Sequence, residues 1–227
     1  MCNTTRLYGV YTWGDISECA DVVSVAKPVY AHFLFKAFEK SKIPSLDWQV
    51  VEWEPRLKRL NENLNHKDEE ITWRYMANQT SCYQVVEKPG TAYCYNDWQM
   101  VLFWDTLFLK VYSATYGNVG ETVMQLLLAA PLQCKDHPTF MAFGLKDRPG
   151  RLAISVCDFA QFGLLYLREG NWKGEQRISQ KHVEAAVKGA SPNSTSQAGF
   201  EVAEIIEGQR TVGSGLIPDN QTDHFGS

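Results

Sequence analysis

The sequence predicts a mixed α/β (α+β) fold, in which strands from both ends of the chain form one sheet around an inserted helical block. Apolar residues recur at three- and four-residue spacing through the middle of the chain, which indicates helices. Segments with strand character lie at residues 7–13 and again from residue 139 onward. The 227 residues are 44% apolar and 21% charged, values that indicate a globular chain and exclude a disordered one.

The N-terminal part of the chain predicts one strand and one long helix. Residues 7–13 read as a short strand that ends at the Gly14-Asp15 turn. Residues 22–40 carry an apolar helical face. Because proline is tolerated only in the first turn of a helix, Pro28 requires this helix to begin close to Ser24.

The remaining elements follow from periodicity and from capping residues. Ser155-x-x-Asp158 resembles a capping box, and Gly170 is a typical helix stop. We therefore predict short or long helices at 71–78, 98–116, 120–128, 155–168 and 179–189, extended segments at 139–145 and 152–155, and a last strand at 200–206. Taken together, these elements give one domain, 1–227, with a helical subdomain at roughly 45–150 between the parts that form the sheet.

Composition and charge exclude several classes of function. The net charge is −4 and the sequence has no basic stripe suited to a phosphate backbone, so we expect no nucleic-acid partner. No apolar run approaches the roughly 20 residues that span a bilayer, and residues 1–14 lack the pattern of a signal peptide. The six cysteines form no C-x-x-C pair and the five histidines are scattered, so we expect neither a metal nor a cofactor. The cellular compartment stays open.

The strongest chemical motif is Ser24-Val-Ala-Lys27, an S-x-x-K. On a helix, positions i and i+3 share one face about 5–6 Å apart at Cβ, so a lysine amine can reach a serine hydroxyl. A serine becomes a nucleophile when a base takes its proton, and a lysine serves as that base when burial lowers its pKa. The alternative is structural: Ser24 caps the helix and Lys27 lies at the surface.

A second candidate segment precedes the helix predicted from residue 98. Pro89-Gly90 marks a turn, and Tyr95-Asn96-Asp97 follows it. A tyrosine on a loop beside the serine and lysine can hold or relay a proton. The structural alternatives are that Tyr95 is an ordinary packed aromatic residue and that Asp97 caps the helix.

Four segments, in order, make the sequence resemble the serine β-lactamase and penicillin-binding-protein superfamily. DVVSVAKPVYAHFLFKAFEKSKI resembles its nucleophile helix, and ITWRYMANQTSCY resembles its I-T-I-R-x-L-L-x-H-T-S-G stretch. PGTAYCYND resembles P-G-T-x-F-x-Y-S-N, and GRLAISVCDFAQFGLLYLREGNWKGEQRIS resembles the long segment that ends in G-x-W-x-G-x-x-I-L. The resemblance covers residues 14–187 and is nearest to class C β-lactamases, related esterases and 6-aminohexanoate-oligomer hydrolases.

The resemblance implies a fold and a set of roles. The fold is a β-lactamase/transpeptidase-like antiparallel sheet flanked by helices, with a helical subdomain. Ser24 takes the place of the acylated nucleophile, Lys27 that of its general base, and Tyr95 that of the tyrosine that protonates the leaving group. Asp97 stands where the family usually has asparagine. Some 6-aminohexanoate hydrolase-like members also have aspartate there, so the resemblance favours that branch. The added charge of Asp97 favours protonated Lys27 and disfavours a substrate carboxylate.

Two departures from the family affect the expected activity. Only about twenty residues precede Ser24, and a third motif of the K-T-G or H-x-G kind is matched at most by His224-Phe225-Gly226. We therefore expect an incomplete sheet and a chain truncated at both ends. The resemblance implies a serine hydrolase acting on a small ester or amide substrate through an acyl-enzyme. The alternative is a catalytically inactive protein of this fold that serves in binding or as a scaffold, or a non-functional fragment.

Overall fold

The computed structural model of the chain describes residues 9, 11–142 and 149–188. One short strand precedes four consecutive α-helices, and strands and helices are mixed in the later part of the described chain. The strands are β1 (Ala20–Asp21), β2 (Thr139–Ala142), β3 (Pro149–Ile154), β4 (Asn171–Trp172) and β5 (Glu175–Gln176). The α-helices are α1 (Lys27–Glu39), α2 (Trp73–Ala77), α3 (Asp97–Trp104), α4 (Ala130–Leu132), α5 (Val156–Leu167) and α6 (Gln180–Val187).

The chain divides into two compact units. The sheet unit contains the described residues up to Ala26 and those of Ala114–Glu184, and the helical unit contains Lys27–Ser113 and the described residues from Ala185 onward. The single-domain interpretation and the subdomain limits at 45–150 stay predictions. No helix in the described part of the chain is both long and apolar enough to cross a membrane.

The sheet unit is built on a three-stranded antiparallel sheet with the order β1-β3-β2. Ala20 pairs with Ile154 in β1–β3, and Phe140 pairs with Leu152 in β2–β3. The first strand therefore begins at Ala20. The strand predicted at 7–13 is wrong for residues 9 and 11–13, which are irregular, and its other residues lie outside the described part. The exposed rings of Tyr11 and Trp13 explain this, because β-prone residues form a strand only where they pack.

The predicted N-cap at Ser155 is confirmed, whereas the Asp158 carboxylate of the predicted capping box binds two other backbone N–H groups. The Ser155 side chain accepts a hydrogen bond from the Asp158 N–H and begins α5. The buried Asp158 carboxylate then accepts the backbone N–H groups of Lys135 and Asp136, at 3.0 Å each. Ser155 therefore fixes the start of α5, and Asp158 fixes the loop that precedes β2.

Gly170 ends the turn after α5, as predicted. Its φ of +83° is unfavourable for any residue with a side chain, and an added Cβ would lie 2.1 Å from the Ile178 carbonyl oxygen. The β4–β5 hairpin follows and pairs Asn171 with Gln176. The sequence did not predict this hairpin, because strands of two residues carry no alternating pattern.

The helical unit is organised around α1, whose inward face is buried almost throughout. Pro28 is its second residue, so the predicted start near Ser24 is confirmed. The Phe33 ring packs edge-on against Phe108 with 5.4 Å between ring centroids. The Tyr112 hydroxyl donates to the Phe33 carbonyl oxygen at 2.6 Å and fixes the middle of α1.

Two predicted helices depart from regular α geometry. The helix expected at 98–116 is α3 followed by a π-helical segment at Asp105–Val111, and the helix expected at 120–128 is π-helical over Gly120–Ala129. The strand predicted at 200–206 and the candidate motif at 224–226 lie outside the described residues.

Candidate active site

Ser24 lies in the 3-10 turn Val23–Ala26, directly before α1. The central strand β3 of the sheet holds this turn. The Val22 N–H donates to the Leu152 carbonyl oxygen of β3 at 3.1 Å. The Asp21 carboxylate accepts the Val23 N–H at 2.8 Å and pairs with Arg151 at 2.6 Å. The backbone that carries the Ser24 hydroxyl is therefore anchored on β3, and Ser24 itself is half-buried.

The residue before Ser24 has a strained backbone. Val23 has a φ of +47°, which is rare for any residue with a side chain and most unfavourable for a β-branched one. Such strain costs of order 1–3 kcal/mol and persists only where surrounding contacts impose it, often at functional sites. Here the Asp21 carboxylate supplies such a contact through the Val23 N–H.

Lys27 is the first residue of α1, and only 5% of it is exposed. Burial lowers the pKa of Lys27 from its ordinary value of 10.5 to about 8, while the charge of Asp97 acts in the opposite direction. The structural alternative of a surface lysine is therefore wrong. An amine with this pKa is partly neutral near pH 7 to 8 and can accept a proton.

Lys27 and Tyr95 contact each other within the helical unit. The Lys27 Nζ donates a hydrogen bond to the Tyr95 hydroxyl. The same Nζ lies 4.4 Å from the centroid of the Tyr95 ring. Tyr95 is 7% exposed, so water does not surround this contact. The lysine and tyrosine of the two sequence motifs, 68 residues apart, thus form one buried hydrogen-bonded pair.

Gln79 holds the backbone on both sides of Tyr95, and sequence reasoning missed it. Its carbonyl oxygen accepts the Cys94 N–H at 2.7 Å, and its side-chain oxygen accepts the Asn96 N–H at 3.3 Å. Gln79 is fully buried and has a φ of +55°. The only available signal was its position at the end of the predicted helix 71–78, which does not indicate a partner in a distant loop.

Gly90 allows the loop that carries Tyr95 to turn. Its φ is +83°, and a Cβ placed there would lie 2.6 Å from the ring of Tyr75. Its N–H donates to the Thr80 carbonyl oxygen at 2.7 Å. The Pro89-Gly90 turn predicted from the sequence thus requires glycine for both its backbone angle and its close packing.

Asp97 is exposed at the first position of α3, and Asn96 is the residue that caps this helix. The Asn96 side chain accepts the Gln99 N–H at 3.1 Å. The interpretation of Asp97 as the cap is therefore wrong, because that position is already occupied. The charge of the Asp97 carboxylate raises the pKa of Lys27, which burial lowers by a larger amount.

The sheet unit also contains a cavity whose lining includes none of the predicted site residues. No group of three histidine, cysteine or acidic side chains among the described residues is arranged to hold a metal ion. An open cavity of about 500 Å³ lies in the sheet unit, lined in part by Tyr116, Glu121 and His137. Its lining includes neither Ser24 nor residues of the helical unit, so it is separate from the predicted site.

Comparison with solved structures identifies the fold. A putative β-lactamase from Bacteroides dorei superimposes with a TM-score of 0.63 at 18% identity, covering 85% of this chain and 62% of that one. A D-alanine carboxypeptidase from Burkholderia cenocepacia gives 0.57 at 15% identity, covering 77% and 56%. A putative 6-aminohexanoate-dimer hydrolase from Bacillus anthracis gives 0.55 at 15% identity, covering 79% and 54%.

These matches show that the chain has the β-lactamase/transpeptidase fold, with a small and open sheet in its described part. The predicted fold class is confirmed. The chain spans 54% to 62% of the length of the three structures named. No protein-family model and no curated protein matches the sequence.

Proposed function

We propose that the chain is a serine hydrolase that cleaves an ester or amide bond through an acyl-enzyme on Ser24. The observation that supports this most strongly is the buried Lys27 amine, hydrogen-bonded to Tyr95 and three residues after Ser24. A serine hydroxyl needs a base, and Lys27 has the lowered pKa that such a base requires. The hydrolase names of the structural neighbours agree with this chemistry.

The proposed reaction has two steps. The neutral Lys27 amine takes the Ser24 proton as the serine oxygen attacks the carbonyl carbon, and the Ser24 N–H stabilises the oxyanion. Tyr95 then gives its proton to the leaving alcohol or amine and recovers one from Lys27. In the second step a water molecule gives up a proton to this pair and attacks the acyl carbon. The bond between the acyl carbon and the Ser24 oxygen then breaks, the pair returns the proton to that oxygen, and the acid is released.

Small esters and short linear amides are the proposed substrates. When Lys27 is neutral, Asp97 is the charged member of the four predicted residues, so the site repels a carboxylate. This disfavours β-lactams and D-amino-acid peptides that carry one, and it agrees with the 6-aminohexanoate branch of the resemblance. The proposal includes no cofactor.

A covalent probe tests the proposal. The folded protein is incubated with a fluorophosphonate or with fluorescent penicillin, and the intact mass is measured. We expect the fluorophosphonate to add one adduct, which is absent from Ser24→Ala. An unlabelled but folded wild type would favour the second candidate, a non-catalytic protein of this fold. That candidate is favoured by Asp97, whose charge opposes the neutral form of Lys27.

A further inference from the structure

Tyr93 has a buried hydroxyl that no part of the described protein satisfies. Tyr93 is 6% exposed, and its hydroxyl oxygen has no hydrogen-bond partner among the described residues. Leaving a buried hydroxyl unpaired costs about 1–3 kcal/mol, so such groups are rare and each one requires an explanation. Phenylalanine would fill the same space without this cost.

The chain arrangement puts Tyr93 on the same side as Tyr95. Ala92 and Cys94 both pack into one small cluster with Cys82. Alternate residues of an extended segment point to opposite sides, so this packing indicates that Tyr93 and Tyr95 lie on the side that faces away from the cluster. Burial raises the pKa of Tyr93, and the neighbouring Tyr95 phenol adds to this rise, so the two phenols also influence each other electrostatically. Tyr93 therefore keeps its proton and acts as a neutral donor.

We propose that the Tyr93 hydroxyl is a positioning group of the site, which donates a hydrogen bond to an acceptor oxygen that binds beside the Lys27–Tyr95 pair. This oxygen belongs either to the substrate or to the water that attacks the acyl-enzyme. The inference rests on the proposed hydrolase function. It explains why an unpaired hydroxyl stands two residues before Tyr95, where the resembling family motif has phenylalanine.

Tyr93→Phe tests the inference, with Tyr112→Phe as the matched control. Both changes remove one phenol oxygen from a tyrosine whose pKa is raised by burial. The Tyr112 hydroxyl, however, already donates to the Phe33 carbonyl oxygen. We expect Tyr93→Phe to keep or raise the denaturation midpoint while its reaction slows about tenfold, the loss of one hydrogen bond. We expect Tyr112→Phe to lower the midpoint and to keep the wild-type rate.

Two rates distinguish the source of the oxygen. The burst of p-nitrophenol from a p-nitrophenyl ester reports acylation, and the following steady state reports hydrolysis by water. A slower burst in Tyr93→Phe assigns the oxygen to the substrate, and a slower steady state with an unchanged burst assigns it to water. Equal rates in Tyr93→Phe and wild type would overturn the inference alone, whereas a wild type without any burst or Ser24 adduct would overturn both proposals.

Discussion

In the proposed mechanism, the protonation state of Lys27 sets the rate at which Ser24 reacts at each pH. With a pKa of about 8, about a tenth of the Lys27 side chains are neutral at pH 7, against about one in three thousand for an ordinary lysine of pKa 10.5. Burial therefore increases the concentration of the reactive base by about 300-fold at this pH. We expect the rate of adduct formation to rise about tenfold per pH unit below 8 and to level off above it.

The assay is a time course of fluorophosphonate labelling, followed by intact mass between pH 6 and 10. Lys27→Met is expected to reduce the rate by 10²- to 10⁴-fold, the usual effect of removing a general base. Lys40→Met is the matched control, since Lys40 is exposed just beyond the end of α1. A rate that does not change with pH across this range, or equal labelling of Lys27→Met and Lys40→Met, would refute the assignment of Lys27 as the base.

Three further predictions follow from the same structure. In Asp97→Asn the pKa of Lys27 falls further, so the labelling rate should begin to rise at a lower pH. Because Asp97 is exposed, the expected shift is about half a pH unit or less. Glu52→Gln removes another exposed acid and should leave the pH profile of labelling unchanged. Between pH 8 and 10.5, Lys27 is protonated in the unfolded chain and neutral in the folded one, so the free energy of unfolding should rise with pH. Measured in urea, this rise should be about 3 kcal/mol larger for the wild type than for Lys27→Met. An equal dependence of the free energy of unfolding on pH in the two proteins would contradict the shifted pKa. Gly90→Ala should lower the free energy of unfolding by about 2 kcal/mol or more, because residue 90 has a positive φ and an added Cβ would clash with the Tyr75 ring. A urea denaturation midpoint equal to that of the wild type would show that the loop has room for a Cβ.

Local rules explain which parts of the fold the sequence predicted. Pro28 predicted the start of α1 and the Ser155 cap predicted the start of α5, because each helix start depends on a few neighbouring residues. The β4–β5 hairpin was missed because two-residue strands have no periodicity. The change from α to π geometry at Asp105 was missed because an apolar helical pattern does not distinguish the two kinds of helix.

The candidate site shows the same limit at longer range. The S-x-x-K spacing indicated Ser24 and Lys27, and the ordered family motifs indicated Tyr95. The contact between Lys27 and Tyr95 joins residues 68 positions apart, and only the folded chain shows it. Gln79 was missed because its role depends on two backbone N–H groups of a distant loop, which carry no residue identity. Similarly, an unpaired Tyr93 hydroxyl is visible only once its neighbours are known.

The position of a trapped acyl group tests the central claim most directly. The protein is mixed with a p-nitrophenyl ester, quenched in acid during the burst, digested with trypsin and sequenced by mass spectrometry. Trypsin does not cut at Lys27-Pro28, so Ser24 lies in the peptide of residues 7–36. We expect the acyl mass on Ser24 in that peptide and its disappearance in Ser24→Ala. An acyl group on another residue, or none in a folded protein that hydrolyses the ester, would contradict the account.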